Sequence, residues 1–187
     1  MEYSVIMSGF GGQGVLMMGD LLAHCGMKAG LNVTWMPAYG VEMRGGTANC
    51  TVVLSENPIG SPITGIPKAV IAMSEPAFTK FGKQVPDGGL LLVNSSLVSI
   101  KSQAACSNNG IKKLFIPTRE LAEACGNEKM ANLAMLGAFI AESGILELDL
   151  VKQEISAFLP PDKSKLAAGM KTALDKGKEY INSLRAF

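Results

Sequence analysis

The sequence is poor in the side chains from which self-contained catalytic centres are made. It has one histidine, His24, and four cysteines at positions 25, 50, 106 and 125, with no Cys-x-x-Cys pair. A lone histidine offers no metal cluster, and scattered thiols supply no iron–sulfur ligand run. With no secretory leader pattern in residues 1–12, reduced thiols in a cytoplasmic protein are expected. There is no Gly-x-x-x-x-Gly-Lys phosphate loop, no Gly-x-Ser-x-Gly elbow and no Gly-Asp-Gly…Asn-Asn thiamine diphosphate signature. Charged residues make up only 18%, and 17 Lys+Arg against 16 Asp+Glu leave a net charge of +1. That balance gives no electrostatic reason to expect nucleic acid or an anionic membrane as partner. The longest strongly apolar helical run, residues 133–141, is far short of the ~20 residues a bilayer requires.

What is present is a long, apolar chain. Hydrophobic residues are 48% of 187 and the mean hydropathy is +0.25, which hints that partners cover some of the surface. The length suits one domain over residues 1–187 that buries about 70% of the surface of its unfolded chain. Residues 3–8 are an apolar run that stops at glycine, as a buried strand does. After the glycines, Val15, Met18, Leu22 and Cys25 fall at helical spacing, and residues 32–36 then form a second strand. This βαβ opening implies a parallel sheet. Further strands are expected over residues 48–54, 69–73, 90–94 and 113–117, with a proline-rich surface loop over residues 57–67. A short helix is expected at 76–84, and helices at 118–124, 129–143, 149–158 and 165–184 fill the rest, with Thr118 as a cap. The expected fold class is α/β: a three-layer α/β/α single domain with a mostly parallel central sheet and a helical C-terminal region.

Gly9-Phe10-Gly11-Gly12-Gln13-Gly14 satisfies Gly-x-Gly-x-x-Gly between a strand and a helix. Backbone N–H groups at such a helix start make an anion site. A dinucleotide fold also needs an acid at the end of the second strand to hold the ribose. That strand end reads Thr34-Trp35-Met36-Pro37, and Glu42 lies too far into the next loop. The glycines therefore serve either tight strand–helix packing or contact with a ligand.

The stretch from residue 36 to 50 is over-equipped for a connector, with Tyr39, Glu42 and Arg44 among Gly40, Gly45 and Gly46. An arginine between residues of little bulk can reach a carboxylate or phosphate with its planar fork, although a structural Glu42–Arg44 pair is the competing reading. Cys50 reads as a small apolar filler, and His24 as a solvated partner of Asp20 four residues before it. Asn94-Ser95-Ser96 closes an apolar strand, where it either meets a ligand crevice or caps a helix. Asn132 opens a helix in which Gly137 allows close packing.

The glycine turn, Tyr39-Gly40-Val41-Glu42-Met43-Arg44-Gly45-Gly46 and the following Thr47-Ala48-Asn49-Cys50-Thr51-Val52-Val53 together resemble the gamma subunit of 2-oxoacid:ferredoxin oxidoreductases. Gly88-Gly89-Leu90-Leu91-Leu92-Val93-Asn94 and the helix from Asn132 fit as well, so the likeness covers most of the chain. Members of that family convert a 2-oxoacid, coenzyme A and oxidised ferredoxin to acyl-CoA, carbon dioxide and reduced ferredoxin. The resemblance implies that this chain alone binds no cofactor and carries no catalytic residue or metal. Thiamine diphosphate, Mg²⁺ and 4Fe-4S clusters would reside in partner subunits of alpha, beta and delta type. Coenzyme A would be co-substrate and ferredoxin the electron acceptor, with pyruvate, 2-oxoglutarate and branched-chain acids all open as substrate.

On this view Gly11, Gly12, Gln13, Gly14, Tyr39, Glu42, Arg44, Gly45, Gly46 and Asn49 face ligand or partner subunit. Asn94, Ser95 and Asn132 are further contacts. Arg44 would meet a coenzyme A phosphate or a partner carboxylate, with Glu42 orienting it. The alternative is a free-standing nucleotide- or flavin-binding Rossmann-like oxidoreductase that uses the glycine turn.

Overall fold

The computed structural model describes residues 1–39, 46–105 and 110–186, with the side chains of Tyr39 and Ala105 outside that description. Strand β1 (Glu2–Phe10) is buried from Ser4 to Gly9, the continuous burial expected of a central strand covered on both faces. The glycine turn leads into α1 (Val15–Lys28), whose stripe of Val15, Met18, Leu22 and Cys25 is buried as its spacing requires. Strands β2 (Asn32–Tyr39) and β3 (Thr47–Ser55) follow, then β4 (Ala69–Ala72) and α2 (Glu75–Phe81). Ser74 caps α2, its hydroxyl accepting the Ala77 N–H at 3.4 Å. Next come β5 (Leu90–Asn94), α3 (Ile100–Ala105), β6 (Lys112–Ile116) and α4 (Thr118–Glu123). The C-terminal region is helical, with α5 (Ala131–Ser143), α6 (Leu148–Phe158) and α7 (Ala167–Arg185).

The sheet order is β2-β3-β1-β4-β5-β6. Strands β1, β4, β5 and β6 are parallel neighbours, whereas β3 runs antiparallel to both β1 and β2. The expected βαβ unit is therefore opened by a guest. Strands β1 and β2 point the same way, but β3 lies between them, because the short return after Tyr39 lets β3 pair with β2 along its whole length. The α/β single domain and mostly parallel sheet hold, with one antiparallel strand that periodicity alone does not reveal.

Alternation sorts the strand side chains onto two faces. On one, Val5, Met7, Val52, Leu54, Ile71 and Leu92 form the main core with α1, α5, α6 and α7. On the other, Ile6, Val70, Leu91 and Val93 pack with Phe81, Val85 and Val98. Helix α5 is buried continuously from Asn132 to Ile140. It crosses α7 where Gly137 meets the Leu174 backbone and Gly177 meets that of Ala134, so tightly that a Cβ at either glycine would strike backbone. His24 turns away from Asp20: its Nε2 lies 3.0 Å from Glu154 of α6, with Lys28 completing a link between helices that are distant in sequence.

Candidate functional site

The carboxyl ends of β1, β4, β5 and β6 converge on one cleft of about 490 Å³. Open α/β sheets place their ligands in this position. The glycine turn forms one wall. Gly12 and Gly14 have φ of 96° and 71°, left-handed conformations that carry the chain from β1 into α1. Gly14 stands at the N-cap with no side chain to cap the helix, which leaves the first N–H groups of α1 without a side-chain acceptor.

Gln13 braces this turn. Its Oε1 accepts the Phe10 N–H at 2.7 Å and its Nε2 donates to the Met73 carbonyl at 3.1 Å, joining the ends of β1 and β4. Gly9 leaves room for that amide, since a Cβ there would strike Gln13 Oε1. The Gly11 N–H donates to the Gly46 carbonyl at 2.8 Å, so the turn is tied to the far end of the 40–46 loop.

Asn94 and Asn132 occupy two other corners. Asn94 Nδ2 donates to the Met73 carbonyl at 3.3 Å and its Oδ1 accepts the Ser96 N–H at 3.1 Å. It therefore shapes the bend after β5 and caps no helix, since α3 begins only at Ile100. Asn132 Nδ2 donates to the Gly14 carbonyl at 3.3 Å, while its Oδ1 is buried with no partner among the described residues. Thr118 supplies a second such atom. It is 1% exposed and its hydroxyl is unpartnered. Pro117 holds the N-cap position of α4, so Thr118 sits one residue inside the helix without capping it.

Ser96 links the walls. Its hydroxyl donates to Glu120 Oε2 at 2.8 Å and accepts the Arg119 N–H at 3.1 Å. The Glu120 carboxyl is held below the usual carboxylate range by its own backbone N–H and by this serine. Arg119, Lys129 and one acid, Glu128, also line the cleft, and neither cation is in an ion pair among the described residues.

Among the described residues of the cleft, none is arranged to act as a nucleophile with a base. Burial pushes the Cys50 thiol up to about 12, where it lies under Gly19 and points to the Val15 carbonyl at 3.7 Å. Cys25 is raised to about 12 as well, first by burial and then by Glu154. Neutral buried thiols are poor nucleophiles and poor metal ligands. No group of three or more His, Cys, Asp or Glu residues suited to a metal occurs among the described residues.

The sequence expectations are brought together unevenly. Gly12, Gln13, Gly14, Asn94 and Asn132 share the cleft, and Gly11 and Gly46 are joined beside it. Ser95 does not line it; its backbone N–H is spent on the Ile116 carbonyl, and Ser96 takes its place. Asn49 lies in register with Ser8 and Ala38 within the sheet, away from the cleft. Glu42, Arg44 and Gly45, like the side chain of Tyr39, lie outside the described residues. Thr118, Arg119 and Lys129 were not singled out as site residues by motif, and Ser96 was named only within the Asn94-Ser95-Ser96 strand end. The one usable signal was the Thr118-Arg119 pair, directly after the strand that ends the sheet.

The molecule is thus an α/β domain whose crevice is edged by a glycine turn. It is not a dinucleotide-binding Rossmann unit, because β3 separates β1 from the strand end where the ribose acid would stand. Residues 4–180 match the pyruvate ferredoxin/flavodoxin oxidoreductase family, and the chain belongs to that family. Among curated relatives, ketoisovalerate oxidoreductase subunit VorA of Methanothermobacter thermautotrophicus is 36% identical over 180 residues, spanning 96% of this chain but 36% of its own length. The 2-oxoglutarate synthase subunit KorC of Methanothermobacter marburgensis is 30% identical over 164 residues, with 86% and 88% covered. The chain therefore spans about a third of the first relative and nearly all of the second.

Two solved structures share the fold. The gamma subunit of a keto/oxoacid ferredoxin oxidoreductase from Geobacter sulfurreducens superposes with TM-score 0.81 at 24% identity, covering 98% of each chain. The 2-oxoglutarate:ferredoxin oxidoreductase from Magnetococcus marinus, solved with 2-oxoglutarate, coenzyme A and succinyl-CoA bound, gives 0.84 at 20% identity, covering 97% of this chain and 31% of its own.

Proposed function

We propose that this chain is the gamma-type subunit of a 2-oxoacid:ferredoxin oxidoreductase complex and that its cleft receives an anionic part of coenzyme A. The observation that carries the reading is the pairing, in one cleft, of two buried oxygens and two cations that have no hydrogen-bond or ion-pair partner among the described residues. Arg119 and Lys129 would neutralise phosphate charge. Thr118 and Asn132 would meet polar groups beside it, since unsatisfied buried oxygens gain most from a matching ligand. Coenzyme A offers both features, and one member of the fold class was solved with it bound.

Among the described residues, no set of side chains suited to a redox cofactor supports placing one in this chain. Cys25 and Cys50 are buried singly and held neutral, so neither belongs to a cluster-ligating set. In this proposal thiamine diphosphate, Mg²⁺ and the iron–sulfur clusters belong to alpha, beta and delta-type subunits, which pass electrons to ferredoxin. The glycine turn and the 40–46 loop face those subunits, with Arg44 as a further anion contact oriented by Glu42.

The test is steady-state kinetics on the assembled complex carrying Arg119→Ala with Lys129→Ala. The expected result is a rise of about tenfold in KM for coenzyme A with KM for the 2-oxoacid unchanged. Normal assembly with an unaltered coenzyme A KM overturns the assignment of the cleft. Arg44→Ala adds a similar rise, and Arg44→Lys fails to restore it if the contact is a planar fork.

A further inference from the structure

The helices of this domain cover only part of its sheet. Helix α1 lies on one face of β2 and β3, with Gly19 against Cys50 and Trp35, and Gly26 against Leu54 and Val33. On the opposite face, α2 and the segment at Val98 pack over β1, β4, β5 and β6. No described helix packs over that face of β2 and β3.

The register places Asn32, Thr34, Met36 and Ala38 of β2 and Thr47, Asn49, Thr51, Val53 and Ser55 of β3 on this face. Val53 and Ser55 are buried and the Thr34 hydroxyl is covered, so the bare part is Met36, Ala38, Thr47, Asn49 and Thr51. None is charged. A sheet with one face in water usually alternates apolar residues inward with charged or strongly polar ones outward. Here Met36 is left 39% exposed, and the rest are threonine, asparagine and alanine. Strand β2 is also the open edge of the sheet, and its eight residues carry no charge, with Pro37 the one device that blunts it. Trp35, 38% exposed, lies on the same strand.

We infer that the bare face of β2 and β3 is a docking surface for the polypeptide that corresponds to the remaining two thirds of the longer relatives. The domain makes up 36% of VorA and 31% of the Magnetococcus chain, where it is joined covalently to the rest. It makes up 88% of KorC and 98% of the Geobacter gamma subunit, where it stands alone. A domain that occurs both joined and separate needs a non-covalent surface to hold the same companion.

Area argues for that companion over a second copy of this chain. Two strands left bare over about five residues each give a patch of about 17 by 10 Å, on the order of 170 Å². That is about a fifth of the ~800 Å² per partner that a stable complex buries. The occupant must therefore continue onto neighbouring surface, and Thr47 and Asn49 lead directly to the 40–46 loop. This step rests on the reading above, in which the loop faces a partner subunit. The companion's matching surface would be uncharged and flat, because a buried unpaired charge opposite threonine and alanine would be costly.

The test is co-purification of this chain with its companion subunits, using Met36→Glu and Thr47→Glu singly. Ile100→Glu, on exposed α3, serves as control. Circular dichroism and melting of the isolated chains check that all three fold. The expected result is a rise of at least about tenfold in the dissociation constant for the two face variants and none for the control. Hydrogen exchange adds a second readout, with backbone amides of β2 gaining protection on assembly. Wild-type affinity in both face variants, or unchanged exchange in β2, overturns the inference. Self-association of the isolated chain that the face variants abolish also overturns it, making a second copy the occupant. The outcome is separable from the coenzyme A reading, since cleft variants change KM in a complex that still forms.

Discussion

Asn94 at the end of β5 and Asn132 at the start of α5 line the same cleft, 2% and 3% exposed. Asn94 is satisfied on both sides of its amide, giving to Met73 and taking from Ser96. Asn132 gives to Gly14 and has nothing to accept on Oδ1, and Thr118 nearby repeats the pattern with its hydroxyl. One corner is therefore closed upon itself and the other is built with bonding capacity to spare. The closed corner holds the scaffold, and the open one is where a ligand gains most. Substitutions can separate the two by whether they cost stability or affinity.

The largest effect is expected at the hinge between them. Gly14→Ala forces a side chain into a left-handed conformation and drives its Cβ into the Asn132 amide. A loss of about 2–3 kcal/mol in unfolding free energy is expected from denaturant melts, with the ligand corner disordered as a consequence. Next comes Asn94→Ala, which strands the Ser96 N–H and leaves the Met73 carbonyl with Gln13 alone. It should cost about 2 kcal/mol of stability and leave the coenzyme A KM of the assembled complex nearly unchanged. Asn132→Ala should reverse that balance, with about 1 kcal/mol lost in melts and a several-fold rise in the coenzyme A KM. If Asn94→Ala and Asn132→Ala shift stability and KM in equal proportion, the division of the cleft into two corners is wrong.

Legibility in the sequence did not follow the division between the corners. The glycine turn and Asn132 announce themselves through local pattern: a strand ending in glycines, and an asparagine opening an apolar helix. Asn94 marked a strand end, although its role as a bend-former depends on Ser96 and Met73. Thr118, Arg119 and Ser96 come from segments more than twenty residues apart, joined only when β5 and β6 align in parallel. No spacing rule reports such a meeting. The place of β3 was hidden for a related reason, since hydrophobic runs mark strands without stating which neighbour each pairs with. The reach of His24 to Glu154, 130 residues away, likewise depends on α6 lying beside α1.

The smallest and sharpest effect belongs to Thr118→Val. The two side chains are nearly the same shape, so the packing around α4 and the cleft wall is retained. What changes is one hydroxyl that is buried without a partner in the ligand-free chain. Removing it should leave the chain as stable as before or more stable by up to about 1 kcal/mol. If the hydroxyl is held in reserve for a ligand, the same substitution should raise the coenzyme A KM of the assembled complex by about three- to tenfold. Opposite signs on stability and affinity are the mark of a group kept for binding. A variant that is less stable with an unaltered KM would make Thr118 part of the scaffold and leave Asn132 alone at the open corner.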